Sequence, residues 1–303
     1  ESAGILDAST LGKIDIQGTD ASEFLNRVYT NAWSKLAIGK CRYGLMLNED
    51  GMVYDDGVTT RLDENHYVMT TTTGGAANVL SKLEDYLQTE WPELDVYLTS
   101  VTDHFATISV CGPNSKKIVS TVIDDLDFSD ENFPHMTFKN AKIGKINCRV
   151  MRISFTGELS YEINVQANYA KSVWEKCMEA GKDFNITPYG TETMHLLRAE
   201  KGFIIVGQDT DGTMTPVDLQ MDWIVSKKKY DFIGKRSLYR SDTIREDRKQ
   251  LVGLLTDNPE DVLEEGSQIV TDIKKSPVEM LGHVTSSYYL SLIHISEPTR
   301  QWQ

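Results

Sequence analysis

The sequence predicts an α+β fold, and three observations point to it. Strand-like and helix-like segments mix without strict alternation, neighbouring strands are joined by short turns as hairpins, and no GxGxxG turn opens a doubly wound sheet. At about 150 residues per domain, 303 residues allow two domains.

Taken in order, Ile14 and Ile16 alternate with polar residues as a strand, and Gly18-Thr19-Asp20 opens a helix whose Phe24, Leu25 and Val28 share one face. Residues 43–47 form a short apolar strand, Asn48-Glu49-Asp50-Gly51 a turn, and 52–61 the returning arm of a hairpin. Residues 66–71 are another strand. Val79, Leu80, Leu83 and Leu87 fall at helical spacing in a helix ending near Trp91. Residues 105–110 alternate as a strand, and Gly112-Pro113 starts a helix with proline at its first position. A long strand over 145–155 pairs with 161–165 across Thr156-Gly157-Glu158. Val173, Trp174, Cys177 and Met178 mark a helix, and Thr187-Pro188 caps the next, which runs to about Lys201. The charged stretch 241–249 reads as a linker, and 251–255 and 282–286 as strands of a second, β-rich unit. The expected division is 1–240 and 241–289. Residues 290–300, LSLIHISEPTR, resemble a translated sequencing adapter, so 290–303 are expected to be a non-native tail. Glu1 lies inside a strand-like run and reads as a cut edge.

Lys plus Arg is 31 against 45 Asp plus Glu, a net charge of −14. That balance argues against a broad nucleic-acid or anionic-membrane surface, which needs clustered positive charge, but leaves room for a local basic pocket. No apolar run reaches the ~20 residues of a membrane span. The cysteines, at 41, 111, 148 and 177, are too far apart for a CxxC pair and read as reduced, buried thiols of a cytoplasmic protein. The residues offer no metal site: HExxH is absent and the histidines are scattered singly. Thr73-Gly74-Gly75-Ala76 lacks the P-loop lysine. The remaining chemistry must come from carboxylates, aromatics and a borrowed organic cofactor.

Asp55-Asp56 lies in the second hairpin strand, where adjacent side chains point to opposite faces, so one carboxylate faces solvent and the other inward. An inward carboxylate is costly unless donors or a cation meet it, and the doublet also reads as a solvated acidic turn. In RISFTGELSYEINV, residues 152–165, Glu158 and Glu162 are four apart and could share a strand face. Arg198, near the end of its helix, reads equally as a surface or salt-bridged residue, and Trp223, after Thr215-Pro216-Val217-Asp218, as a core residue by default.

The ordered motifs YGLMLNEDGMVYDD, SFTGELSYEI, LRAEKGFIIVGQDTDGTMTPVDL, DFIGKRSL and GHVTSS resemble the folate-binding aminomethyltransferase family, which includes the glycine cleavage T-protein. The resemblance spans about residues 1–289. Within the family, LRAEKGFIIVGQDTDGT is most similar to the carboxy-terminal part of heterotetrameric sarcosine oxidase alpha subunits. It implies a three-subdomain cloverleaf around a tetrahydrofolate site, with the C-terminal β-rich unit a truncated barrel. Asp56 falls on the family's catalytic acid. Glu162 falls on its pterin-gripping glutamate, Phe155 on a tyrosine whose hydroxyl is lost, Tyr43 on a pocket aromatic, and Arg198 on an arginine suited to a polar group of the folate. Trp223 joins these as a candidate cofactor-binding side chain.

The implied activity is capture of the methylene from sarcosine demethylation, arriving as an imine or formaldehyde, as 5,10-methylenetetrahydrofolate. FAD or FMN and NAD are expected only in a missing remainder or in partner subunits of the oxidase. The alternatives are a stand-alone T-protein and a non-catalytic folate-binding module. The first is disfavoured by Phe155 and the IIVGQDTDGT run. The second is disfavoured by the absence of a cysteine from Lys201 to Asp209.

Overall fold

The computed structural model describes residues 2–258 and 260–289; the expected tail, 290–303, lies outside the described residues. The elements run β1 (Ala3–Asp7), β2 (Gly12–Gln17), α1 (Ala21–Val28), β3 (Cys41–Leu47), β4 (Val53–Asp63), β5 (His66–Thr71), α2 (Ala76–Asp85), β6 (Tyr97–Ser100), β7 (Phe105–Cys111), α3 (Ser115–Val122), β8 (Thr137–Ile143), β9 (Ile146–Arg152), β10 (Ser160–Gln166), α4 (Ala170–Ala180), β11 (Ile186–Pro188), α5 (Thr191–Lys201), β12 (Gln268–Val270) and β13 (Met280–His283). The expected α+β class holds. One sheet has six strands in the order β11-β1-β7-β10-β9-β8, a second has five in the order β3-β4-β5-β2-β6, and β12-β13 form a separate pair.

Each large sheet buries one face under helices. Ile108, Val110, Val150, Tyr161 and Ile163 of the six-stranded sheet pack with Ile118 and Val119 of α3 and Val173 and Cys177 of α4. Ile14, Ile16, Met46, Tyr67 and Met69 of the five-stranded sheet pack with Phe24, Leu25 and Val28 of α1 and Val79 and Leu83 of α2. The opposite faces turn toward each other. Cys41 of β3 joins Phe138, Met151 and Ile153, with Val58 of β4 against them, and the Thr60 hydroxyl meets Met151 Sδ at 3.9 Å. Chain from 204 to 232 closes the flank, seating Ile204, Leu219, Met221, Ile224 and Phe232 on Leu45, Leu47 and Val53.

Several expectations are corrected. Pro113 precedes α3 instead of opening it, since Asn114 is the N-cap. Thr187 and Pro188 belong to β11, which pairs parallel with β1, and Gly190 caps α5. Glu158 lies in the loop before β10, so it shares no strand face with Glu162. Residues 251–255 form no strand: Val252, Leu254 and Leu255 are 57–62% exposed, without a neighbouring strand to pair their backbone. The stretch 241–249 is anchored, with Arg248 donating to both oxygens of buried Asp218. All four cysteines are free and buried, as expected. Among the described residues no helix is long and apolar enough to cross a membrane.

Candidate active site

The site is a polar layer between the two sheets. On β4, Asp56 shares a face with Val58 and Thr60 by the period-two rule, and those two touch the six-stranded sheet. On β10, Glu162 pairs with Met151 of β9 and Ser109 of β7, so it stands beside the same contact. By register, Asp56 and Glu162 both face the layer between the sheets, with the Thr60–Met151 contact lying along it. Lys13 and Asp15 reach it from β2, opposite in phase to the apolar Ile14 and Ile16. Arg149, Asn164, Thr107, Ser109 and Ser160 reach it from the facing sheet.

Asp56 is half-buried and accepts a hydrogen bond from the Tyr43 hydroxyl at 2.6 Å. Burial pushes its carboxyl up to about 6, with the Tyr43 bond pulling the other way. Tyr43 is itself raised, by burial and then by the Asp56 charge. Glu162 has no hydrogen-bond partner among the described residues; burial pushes it up to about 7, and only the charge of Lys13 opposes that. Lys13 is 3% exposed, donates to the carbonyls of Ser9 and Leu11, and is lowered by burial. Asn164 Nδ2 and Arg149 Nε are buried without partners among the described residues. An unpaired acid and unpaired donors, facing one space, make a surface prepared for a polar ligand.

Asp55 is not the solvent-facing member of its doublet. It sits opposite Met46 on the helix-covered face, 3% exposed, accepting from the Thr72 hydroxyl at 2.6 Å and the Thr72 amide at 3.3 Å. Gly75 at the start of α2 makes this possible, because a Cβ there would lie 2.9 Å from Asp55 Oδ1. Burial pushes Asp55 up to about 7 from 3.8. The folded state thus binds the proton more tightly than the unfolded chain. This stabilisation is complete below about pH 4 and is lost as pH rises toward 7. Asp55→Asn removes that titration. Its stability relative to the parent chain is expected to climb between pH 4 and 7 by as much as ~4 kcal/mol, at ~1.4 kcal/mol per pKa unit. Chemical denaturation across that range is the check, and a flat difference would refute it.

The other candidates are placed unequally. Phe155 stacks on Phe203 (centroids 6.3 Å apart, planes at 23°), both partly exposed. Arg198 is 2% exposed with its donors engaged inside the chain: the carbonyls of His195 and Phe203, Asp209, and the hydroxyls of Ser286 and Tyr288. It is salt-bridged, as one sequence reading allowed, and offers no free N–H to a ligand. Trp223 is neither core nor enclosed: it is 70% exposed on a short turn in which Ile224 takes the core position. Sequence reasoning missed Lys13, Arg149 and Asn164. The available signal was alternation in β2 and β10, whose polar faces point at another sheet; β9, with Val150 and Met151 adjacent, gave no such signal for Arg149.

Comparisons with known proteins give the family. A family model described as the GCVT N-terminal domain matches residues 1–229. The chain is 56% identical over 292 residues to the sarcosine oxidase subunit alpha of Corynebacterium sp. (strain P-1), covering 95% of this chain and 30% of that protein. It is 31% identical over 288 residues to an aminomethyltransferase of Caldanaerobacter subterraneus subsp. tengcongensis, covering 95% of this chain and 73% of that protein. The crystal structure of glycine cleavage system aminomethyltransferase T from Bartonella henselae matches with a TM-score of 0.68 at 25% identity, over 78% of this chain and 62% of that one. The chain thus spans about 30% of the length of its sarcosine oxidase relatives.

Proposed function

The chain belongs to the GCVT N-terminal domain family, and from that premise we propose that it is the tetrahydrofolate-binding one-carbon transfer module of a sarcosine oxidase alpha-like subunit. It captures the methylene released from oxidised sarcosine, as imine or formaldehyde, onto the two reactive nitrogens of tetrahydrofolate. With formaldehyde, the oxygen and the two nitrogen-bound protons leave as water; with the imine, its nitrogen takes those two protons and leaves as glycine. Flavin and nicotinamide chemistry belongs to segments or subunits outside this chain. The two sheet units and 241–289 serve as three leaves around the folate.

The observation that carries this reading is the Glu162 carboxylate, without a hydrogen-bond partner among the described residues, in the same inter-sheet layer as the Tyr43–Asp56 pair. An ionised carboxylate accepts two parallel hydrogen bonds, the pattern offered by the 2-amino and N3–H edge of a pterin. Asp56 then lies toward the reactive nitrogens, where positive charge develops during attack, and Tyr43 fixes its orientation. Phe155 and Phe203 form an aromatic wall. Arg198 acts as a positioning residue, holding the end of α5 that carries Phe203.

Glu162→Gln keeps the shape but replaces one acceptor oxygen with a donor. In the full-length protein it is expected to weaken binding of 5-formyltetrahydrofolate about 10- to 100-fold by calorimetry, the range for a charge-assisted hydrogen bond. Unchanged affinity would remove Glu162 from the site.

A further inference from the structure

The family pattern places a tyrosine where this chain has Phe155, so the site lacks one phenol. A second tyrosine reaches the polar layer from another direction. Tyr189 follows β11 directly, and its amide donates to the Ile5 carbonyl of β1 at 3.0 Å. Its ring lies on Gly4: a Cβ at that position would be 2.8 Å from two ring carbons. Gly4 pairs with Cys111 and Cys111 with Ser160, so the ring covers the face that carries Ser109 and Glu162. The hydroxyl stops against Cys111 Sγ at 3.3 Å, and the same thiol meets Thr156, the residue after Phe155.

We propose that Tyr189 is a ligand-facing residue of this site and supplies, from across the sheet, the phenolic hydroxyl that position 155 lacks. The proposal rests on the folate reading above and adds a group that hydrogen-bonds the reduced pterin beside Glu162. A thiol is a weak hydrogen-bond partner, so a phenol parked against one keeps most of its capacity for a stronger acceptor. Ser109 is a side-chain hydrogen-bond neighbour of the phenol, and the Glu162 charge acts on it as well. Burial raises the Tyr189 pKa, so the group remains a neutral donor.

The test is a titration of the full-length protein with 5-formyltetrahydrofolate, followed by calorimetry, for the parent and for Tyr189→Phe, Gly4→Ala and Glu162→Gln. Tyr189→Phe keeps the ring and its packing. It is expected to leave the thermal midpoint unchanged and to weaken binding about 5- to 10-fold, the effect of one hydrogen bond. Gly4→Ala, which displaces the ring, is expected to weaken binding at least as much in a folded protein. If Glu162→Gln weakens binding while Tyr189→Phe does not, Tyr189 is only a packing residue and this proposal fails alone. If the parent protein does not bind the folate, the proposal falls together with the functional reading.

Discussion

Replacing Asp56 by asparagine is expected to lower folate-dependent methylene transfer about 10²–10³-fold while changing reduced-folate affinity only a few-fold. Asparagine fills the same volume and still accepts the Tyr43 hydroxyl bond seen at 2.6 Å. What it removes is charge. A carboxylate ~4 Å from a nitrogen that becomes cationic contributes up to about 4 kcal/mol at an effective dielectric of ~20, and none of this is realised in the neutral ground state. A proton-relay role is worth a similar 10²–10⁴-fold, so the size of the loss does not separate the two. The pH profile carries the second half of the test. Burial sets the carboxyl at about 6, so the parent rate is expected to rise as pH passes through that value and then level, and the asparagine variant to lose that step. The measurement is formation of 5,10-methylenetetrahydrofolate by the full-length protein with sarcosine as methylene source. Full folate-dependent capture by Asp56→Asn would remove the catalytic role.

Much of the fold was legible because local pattern and tertiary environment agreed. The 43–47 and 52–61 hairpin, the His66–Thr71 strand and the α1 face of Phe24, Leu25 and Val28 all emerge where one face meets a helix-covered core. The misreadings share a cause. Alternation in a strand says which side chains are apolar, not what the polar face meets. In β2 and β10 the polar faces meet the opposite sheet, so Lys13 and Asn164 look like ordinary surface residues in the sequence. The doublet is misread for the converse reason: alternation puts one of its carboxylates in solvent, yet Thr72 and the space left by Gly75 satisfy Asp55 in the interior. Tyr189 could not be found by motif, because its place over Gly4 depends on the parallel β11–β1 pairing of segments far apart in sequence. Of the motif residues, Tyr43 and Asp56 bond each other and Glu162 faces the same inter-sheet layer, while Arg198 is diverted by Asp209.

That diversion makes Asp209 the position where substitution is expected to cost the most stability. Its Oδ2 accepts from Arg198 and from the Ile205 amide at 2.9 Å, and its Oδ1 accepts from Thr285 at 2.7 Å and Ser286 at 2.8 Å. Burial alone would raise this carboxyl, but the bonds from Ile205, Thr285 and Ser286 and the Arg198 charge outweigh it, and the group is held below its ordinary value. Asp209→Ala leaves the Arg198 guanidinium, 2% exposed, as an uncompensated buried charge. Removing one partner of such a pair costs about 3–5 kcal/mol. At ~2–4 °C per kcal/mol for a larger domain, a thermal midpoint lowered by about 10 °C is expected in a melting scan. The same loss removes the bonds from Thr285, Ser286 and the Ile205 amide, leaving only the Arg198 donors to hold Ser286 and Tyr288, and it loosens the chain carrying Phe203, so folate affinity is expected to fall as well. Replacing both charges, as Arg198→Met with Asp209→Leu, is expected to recover much of the stability, since a well-packed apolar pair often matches a buried ion pair. It is not expected to restore affinity, because the hydroxyls of Thr285 and Ser286 then have no acceptor to hold them. A midpoint for Asp209→Ala within about 2 °C of the parent, under 1 kcal/mol on that scale, would mean that water reaches Arg198 and that this bridge does not hold the C-terminal strands to α5.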